Sequence, residues 1–438
     1  MTGTSILDAP QAQKLLDDAS VDRADVLGCK QRLGWFLQRY LPLFYRQEQR
    51  ENARLVISGR LSGLERKTSE PIARAAGVQR KPVQFFVGSG KWDDEAVMDQ
   101  LRVQVAEELA DPNAALVIDG STFAKKGKDS CGVGRQWSGR LGKVDNCQTG
   151  VFLVYAGARG HAMVDRRLYL PQDWAGDSVR RDKCHVPAKV VFTEKWRLAL
   201  EMIKQHGAQL PHQWICGDDE FGKVTELRRE LRQNHQRYVL DVPSRTLVRD
   251  LEARRPPRRH KNKRRRSVPL CRADVWAARQ PPQRWQRLTI RAGEQGPLEV
   301  EAIERRVQTM DPKHRLGPQE RLVVIRELKT RHTDYCLSDA GPEISLLEVV
   351  QGHAQRHRME ESLQEGKQEV GLGQYECRSW VGWHHHMTLC LVALLFLTLE
   401  RRELGGKNPG LDGFTNTPDF HRLAASAAAN ATADSRAN

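Results

Sequence analysis

Arg356, Glu360 and Lys367 stand at intervals of four and seven within residues 353–367, H-A-Q-R-H-R-M-E-E-S-L-Q-E-G-K. On a helix those offsets bring a guanidinium, a carboxylate and an ammonium to one face. Such a face can hold a divalent cation and grip phosphates beside it, provided that further carboxylates arrive from elsewhere in the chain. Asp119 and Asp218 are the candidates. Each ends a short apolar run, A-A-L-V-I before Asp119 and W-I-C-G before Asp218. Open α/β sheets place their ligands at the carboxyl ends of such strands. Two carboxylates on neighbouring strand ends, with Glu360 from a helix, form an oxygen-rich set for hard cations. Mg²⁺ suits it, because Mg²⁺ uses one or two carboxylates per ion and keeps water or substrate phosphate as its other ligands. Two such ions roughly 3.5–4 Å apart can activate the attacking oxygen and stabilise the leaving oxygen of an in-line phosphodiester displacement. No catalytic base of unusual pKa is then required.

Each residue also has a plainer reading. An Asp at a strand end is most often a turn residue or a helix cap, and Glu beside Lys or Arg on a helix is usually a solvated face. The combination is what favours chemistry. Lys125, Lys126 and Lys128 follow the first Asp in a glycine-containing loop, where they either meet phosphates or line a solvated loop. Trp285 either stacks on a flipped base or packs in a core. The consecutive His384, His385 and His386 point in different directions on a helix and cannot chelate one ion together; they read as a surface or DNA-facing feature.

The elements that must position these residues follow from composition and periodicity. The chain has 438 residues, enough for two or three folding units. Lys plus Arg outnumber Asp plus Glu by 70 to 55, and the net charge of +15 with a pI near 9.5 favours a polyanionic partner. Nine cysteines without a C-x-x-C pair read as reduced thiols of a cytoplasmic protein. The first residues lack a basic start followed by an apolar run, so a secretory signal is not expected. The most apolar stretch, residues 387–399, is too short to span a bilayer and reads as a buried helix.

Residues 1–110 are helical in pattern and read as an N-terminal DNA-binding domain, with a candidate helix-turn-helix at residues 69–86 joined at Gly77. Residues 111–242 alternate strands and helices: strands at 114–118, 150–156, 161–170, 214–216 and 238–242, helices at 195–205 and 224–234. Residues 243–340 read as a β-rich insertion. It opens with a run from 254 to 266 holding nine Lys or Arg and no acid. Arg258, Arg259, Lys261, Lys263, Arg264 and Arg265 in that run are candidate phosphate contacts, or else a solubilising loop. Helical periodicity returns over 341–405, and 406–438 reads as a disordered tail.

Four segments make the chain recognisable: V-I-D-G-S-T-F-A-K-K-G-K (117–128), G-V-G-R-Q-W-S-G-R-L-G-K-V-D-N-C-Q-T-G-V-F-L (132–153), L-Y-L-P-Q-D-W (168–174) and G-D-D-E-F-G (217–222). They resemble the core of bacterial insertion-sequence transposases of the DDE superfamily. Residues 353–367 match that group's Tyr-x2-Arg-x3-Glu-x6-Lys motif at Arg356, Glu360 and Lys367, with His353 where Tyr is usual. The resemblance spans roughly residues 30–400. It implies an α/β fold, a ribonuclease H-like mixed sheet core flanked by helices and interrupted by the β-rich insertion. It also implies Asp119, Asp218 and Glu360 as catalytic residues and ligands to Mg²⁺ or Mn²⁺, two ions in all.

In such relatives the Arg and Lys of the helix motif contact transposon-end DNA, which is the role implied for Arg356 and Lys367. His353 can still donate to a phosphate, but it lacks a tyrosine's reach and stacking. Asp219, Glu220 and Glu361 are the competing carboxylates. The family's G-D-x-x-[YF]-G pattern selects Asp218 over Asp219, and spacing selects Glu360 over Glu361. The implied activity is a transposase that binds terminal inverted repeats, cleaves there, and joins the freed 3′-OH to target DNA as an oligomer, without a membrane. A regulator that has lost catalysis is disfavoured because all three carboxylates are present. A ribonuclease H-like nuclease on other substrates is disfavoured by the insertion and the helix motif.

Overall fold

The computed structural model describes residues 23–139, 142–254, 267–291, 298–311, 314–330 and 332–407. The basic run with Arg258, Arg259, Lys261, Lys263, Arg264 and Arg265, and the tail from 408, lie outside the described residues.

Five helices come first: α1 (Arg23–Gln38), α2 (Gln47–Leu61), α3 (Ser69–Ala75), α4 (Arg80–Gly88) and α5 (Asp94–Glu108). The pair α3 and α4 meets across Gly77, as the sequence pattern implies. Then follow β1 (Ala115–Ala124), β2 (Gly134–Ser138), β3 (Lys143–Gly157), β4 (Gly160–Tyr169), α6 (Gln172–Ala175), α7 (Ser178–Lys183), α8 (Lys195–His206), β5 (Trp214–Gly217), α9 (Asp219–Gly222), α10 (Thr225–Gln233) and β6 (Tyr238–Asp241). The insertion supplies β7 (Leu247–Asp250), β8 (Cys271–Arg272), α11 (Ala273–Ala278), β9 (Gln286–Arg291), β10 (Leu298–Met310), β11 (Leu316–Glu327) and β12 (Thr333–Ser338). Three helices complete the described chain: α12 (Leu346–Ala354), α13 (His357–Gln368) and α14 (Trp380–Lys407).

The core sheet runs β4-β3-β1-β5-β6. β3 is antiparallel to both β1 and β4, whereas β1, β5 and β6 run parallel. That order and polarity is the ribonuclease H-like arrangement. Its inner strands are nearly continuous apolar runs, as strands covered on both faces must be: β1 is buried from Ala115 to Ile118, and β3 from Cys147 to Gly157. The insertion does not dangle from this sheet. β12 pairs antiparallel with β6, so β11, β10, β7 and β8 extend one sheet to twelve strands, with a second small core around Val248, Trp276, Ile303, Leu322 and Leu337.

The N-terminal helices share the main core instead of enclosing one of their own. Leu33, Phe36, Ile57, Val83 and Leu101 pack in the same apolar cluster as Val117, Val154 and Leu391. α14 is the element they close upon, touching α2, α4, α5 and β4. The sequence pattern anticipates a thirteen-residue apolar segment, but the helix is 28 residues long. Trp380–Leu404 is long and apolar enough to cross a membrane by length and composition, and 94% of its most apolar window is buried inside the fold. A helix apolar on every side belongs in a core of this kind.

That placement corrects the reading of the histidine triplet. His384, His385 and His386 are buried, not surface or DNA-facing. His385 stacks on Trp92 with ring centroids 3.7 Å apart, His386 Nδ1 lies 2.9 Å from an Arg60 guanidinium nitrogen, and His384 Nδ1 lies 2.9 Å from the Trp380 carbonyl oxygen. Burial holds all three below the ordinary imidazole range.

Candidate active site

Register places the two aspartates side by side. β1 and β5 are parallel neighbours whose pairing stops at Ile118 opposite Gly217, so Asp119 and Asp218 come next on each; Asp218 lies just past β5, but Asp119 does not end its strand as the sequence pattern suggests, because β1 runs on to Ala124 in pairing with β3. Asp218 also fulfils its plainer reading: its Oδ1 caps α9, accepting from the backbone N–H of Glu220 at 3.0 Å and of Phe221 at 3.4 Å. The glycine closing this motif has its own reason. A Cβ on Gly222 would stand 1.8 Å from the Asp241 carbonyl oxygen, so only glycine lets α9 settle against β6.

The electrostatics of the pair are unusual. Asp119 Oδ1 accepts from the Gly120 N–H at 2.6 Å. Neither Asp119 nor Asp218 has an ion-pair partner among the described residues. Burial, then the facing Asp218, raises Asp119 well above the carboxylate range, and burial with Glu220 and Asp219 raises Asp218. Glu220 is itself paired to Lys195 at 2.7 Å. Two neighbouring hard oxygen donors without an ion-pair partner among the described residues are a donor set that a divalent cation stabilises.

The helix motif arrives differently from the sequence expectation. Residues 353–367 do not form one helix: α12 ends at Ala354 and α13 begins at His357, with Arg356 at its N-cap. The turn between them is tightened, with Arg356 N bonding to His353 O and Met359 N to Arg356 O, each at 3.0 Å. Arg356 bridges two carboxylates, with Nε 2.9 Å from Asp241 Oδ2 and a terminal nitrogen 3.0 Å from Glu360 Oε1. Its charge also acts on Asp119. Glu360 is exposed, and a hydrogen bond from His357, then the Arg356 charge, outweighs its partial burial and keeps it below the usual carboxylate range.

The proposed DNA contacts fall into different settings. His353 is buried, and its Nε2 sits 2.7 Å from Asp241 Oδ1. Burial opposes its charge, but the Asp241 carboxylate outweighs that and raises its pKa. His353 thus faces the protein, not solvent. Lys367 lies with Nζ 5.8 Å from the Phe123 ring centre, beside the end of β1. Lys125 is partly buried, its Nζ 3.1 Å from the Tyr375 carbonyl and 3.2 Å from that ring's centre, and burial lowers its pKa to about 8. Lys126 is exposed. Trp285 is half-buried against the insertion's core, with the Arg326 guanidinium 4.1 Å over its ring.

Sequence reasoning missed Asp241. It ends the strand Y-V-L-D and so carries the same signal as Asp119 and Asp218, a carboxylate directly after a short apolar run. Asp241, Cys336 and His353 bring ligand-type atoms within 4.8 Å of one another. With the Arg356 guanidinium already on the second Asp241 oxygen, this group is an anchor for the helix turn, its cation supplied by the chain itself.

A family model described as DDE superfamily endonuclease matches residues 39–303, more than half of the chain. The matched interval contains Asp119 and Asp218 and ends before Glu360. No curated protein matches. Among solved structures, the chain aligns with a piggyBac transposase synaptic complex with hairpin DNA at 13% identity and a TM-score of 0.41, covering 94% of this chain and 80% of that one. That score is too low to carry a fold assignment, which rests here on strand order and polarity.

Proposed function

The chain belongs to the DDE superfamily endonucleases, and from that premise we propose that it is a DNA transposase of the insertion-sequence type. It binds the terminal inverted repeats of its element, hydrolyses a phosphodiester at each end, and transfers the freed 3′-OH to target DNA. The observation that carries this reading is the pair Asp119 and Asp218, adjacent where the parallel pairing of β1 with β5 ends and both raised in pKa. Asp119, Asp218 and Glu360 would hold Mg²⁺ or Mn²⁺, two ions, which supply Lewis-acid stabilisation to the entering and leaving oxygens.

The chain's own residues do the rest. The Asp218 cap fixes one carboxylate through two backbone donors, which leaves little rotamer freedom to be lost on binding. Asp241 and His353 hold the turn from which Arg356 and Glu360 project. Arg356, which here contacts Glu360 at 3.0 Å, and Lys367 would grip phosphates of the end DNA. Lys126 and the basic run from 254 to 266 add nonspecific phosphate contacts. Because two ends are joined in one event, more than one protomer acts on the DNA.

The test is cleavage of a plasmid carrying the element's ends, with Mg²⁺, by the intact chain and by Asp119→Asn, Asp218→Asn and Glu360→Gln. Loss of cleavage with end binding retained supports the assignment. Normal cleavage by any one variant removes that residue from the ligand set, and absence of metal-dependent cleavage by the unaltered chain removes the reading.

A further inference from the structure

Four arginines are buried among the described residues: Arg60, Arg102, Arg166 and Arg228. Three of them meet carboxylates. Arg102 pairs with Glu95 and Asp99, Arg166 with Asp94, Glu95 and Asp165, and Arg228 with Glu320. Arg60, 2% exposed in the last turn of α2, has no ion-pair partner among the described residues. One terminal nitrogen donates to the Val370 carbonyl at 3.1 Å, the other to His386 Nδ1 at 2.9 Å, and Nε is buried without a hydrogen-bond partner. Taking a cation out of water is costly unless an opposite charge meets it.

What surrounds Arg60 supplies no such charge. Burial, then the Arg60 charge itself, holds His386 well below the ordinary imidazole range, so it accepts from the guanidinium as a neutral ring. Burial pushes the Cys377 thiol up to about 12, so it too stays neutral. Lys125 adds to the positive field, its charge acting on both His386 and Cys377.

Arg60, His386 and Cys377 line a cavity of about 180 Å³ between α2, the start of α3, α4 and the segment leading into α14. Glu376, the acid of that lining, is exposed and held by Arg66 at 2.6 Å. Thr68, 7% exposed, also lines the cavity, and although it directly precedes α3 its hydroxyl does not cap that helix. Gln84 on α4 is exposed and marks the opening. With liquid water occupying about 30 Å³ per molecule, there is room for one tetrahedral oxyanion and a few waters. The space is below the roughly 300 Å³ at which sites for drug-sized ligands begin. Water could satisfy the Nε donor, but only an anion also compensates the charge, and a charge-assisted bond to an oxyanion is the strong kind.

We propose that this cavity is a binding site for a free tetrahedral oxyanion of the phosphate or sulfate class, held by Arg60 and the Thr68 hydroxyl. Bound there, the anion joins α2 to the start of α3 beside the buried face of α14. The site is separate from Asp119, Asp218 and Glu360 and does not depend on their roles.

The test is isothermal titration of the full chain, in chloride buffer of fixed ionic strength, with inorganic phosphate and with inorganic sulfate. The unaltered chain takes up one phosphate or sulfate saturably. Thr68→Val, which keeps the shape and removes the hydroxyl, binds about tenfold more weakly. Arg60→Gln shows no saturable binding; because that change is buried, Thr68→Val decides the matter if Arg60→Gln does not fold. A short DNA duplex, whose backbone carries the same chemical group, leaves phosphate affinity within about twofold, since backbone phosphates are met at exposed cations. Absence of saturable uptake by the unaltered chain overturns the proposal, as does unchanged affinity in Thr68→Val. Displacement of phosphate by the duplex also overturns it, making the cavity a contact for the DNA backbone.

Discussion

Two sets of carboxylates borne by one sheet and its strand ends are treated in opposite ways. Asp165, in β4, is fully buried. Burial opposes its charge, yet His206, Arg167 and Arg166 outweigh that and hold it far below the usual carboxylate range. Arg166 in turn meets Asp94 and Glu95 from α5. Asp119 and Asp218, half-buried, have no ion-pair partner among the described residues and are raised instead, the Arg356 charge only partly offsetting burial at Asp119. The chain supplies plenty of arginine, so the difference is one of placement. A charge that the fold compensates is structural; a pair that the fold leaves without an ion-pair partner is the one an external cation would stabilise.

The sharpest way to break that comparison is at the pair itself. Asp119→Asn, Asp218→Asn and Glu360→Gln should each lower end cleavage by at least about a thousandfold, the scale of losing a metal's stabilisation, in a plasmid-nicking assay with binding measured in parallel. Asp165→Asn should do the reverse. It removes the buried charge that Arg166, Arg167 and His206 share and should cost about 3–5 kcal/mol of stability by denaturant unfolding, with residual cleavage following the folded fraction.

Asp241→Asn lies between the two classes. It loosens Arg356 and His353 together and should reduce cleavage about tenfold, with Asp241→Glu recovering part of it; unchanged cleavage would detach Asp241 from the site. The smallest effect is thermal. Because Asp119 has a raised pKa in the fold, it keeps its proton above the pH at which the unfolded chain releases it. Its contribution to stability is neutral at low pH and turns unfavourable as pH rises from the ordinary carboxylate range toward its folded value. In EDTA at neutral pH, Asp119→Asn should therefore melt about 2 °C or more above the unaltered chain. Adding Mg²⁺ should raise the unaltered chain and leave the variant still. A variant that melts lower in EDTA would show Asp119 to be compensated after all.

Much of this arrangement was legible in the residues. Asp119 and Asp218 end apolar runs, and a run of that kind between turn residues forms a strand whatever surrounds it. Asp241 carried the same signal without the motif that drew attention to the others. What escaped was set by tertiary contacts. The tightened turn at Gln355 and Arg356 contains no proline or glycine, and only the Asp241 carboxylate beneath it explains why the helix is redirected there. β2 is five residues, half exposed, and owes its existence to pairing with β3. β7 and β8 exist only as partners of β10 and of each other. The histidine triplet looked polar by composition, but each ring meets a separate neighbour, Trp92, Arg60 or the Trp380 backbone, which no local pattern announces.

The burial of α14 has a consequence for how the molecule comes into being. This helix follows every other described element in the chain, yet it covers faces of α2, α4, α5 and β4, the earliest to be made. During synthesis those faces must wait, uncovered, for α14 to emerge from the ribosome, and a nascent chain stopped short of residue 380 exposes them all. Termination before residue 380 should therefore give insoluble, protease-sensitive fragments instead of a partly working protein, so that synthesis through α14 acts as the gate on activity.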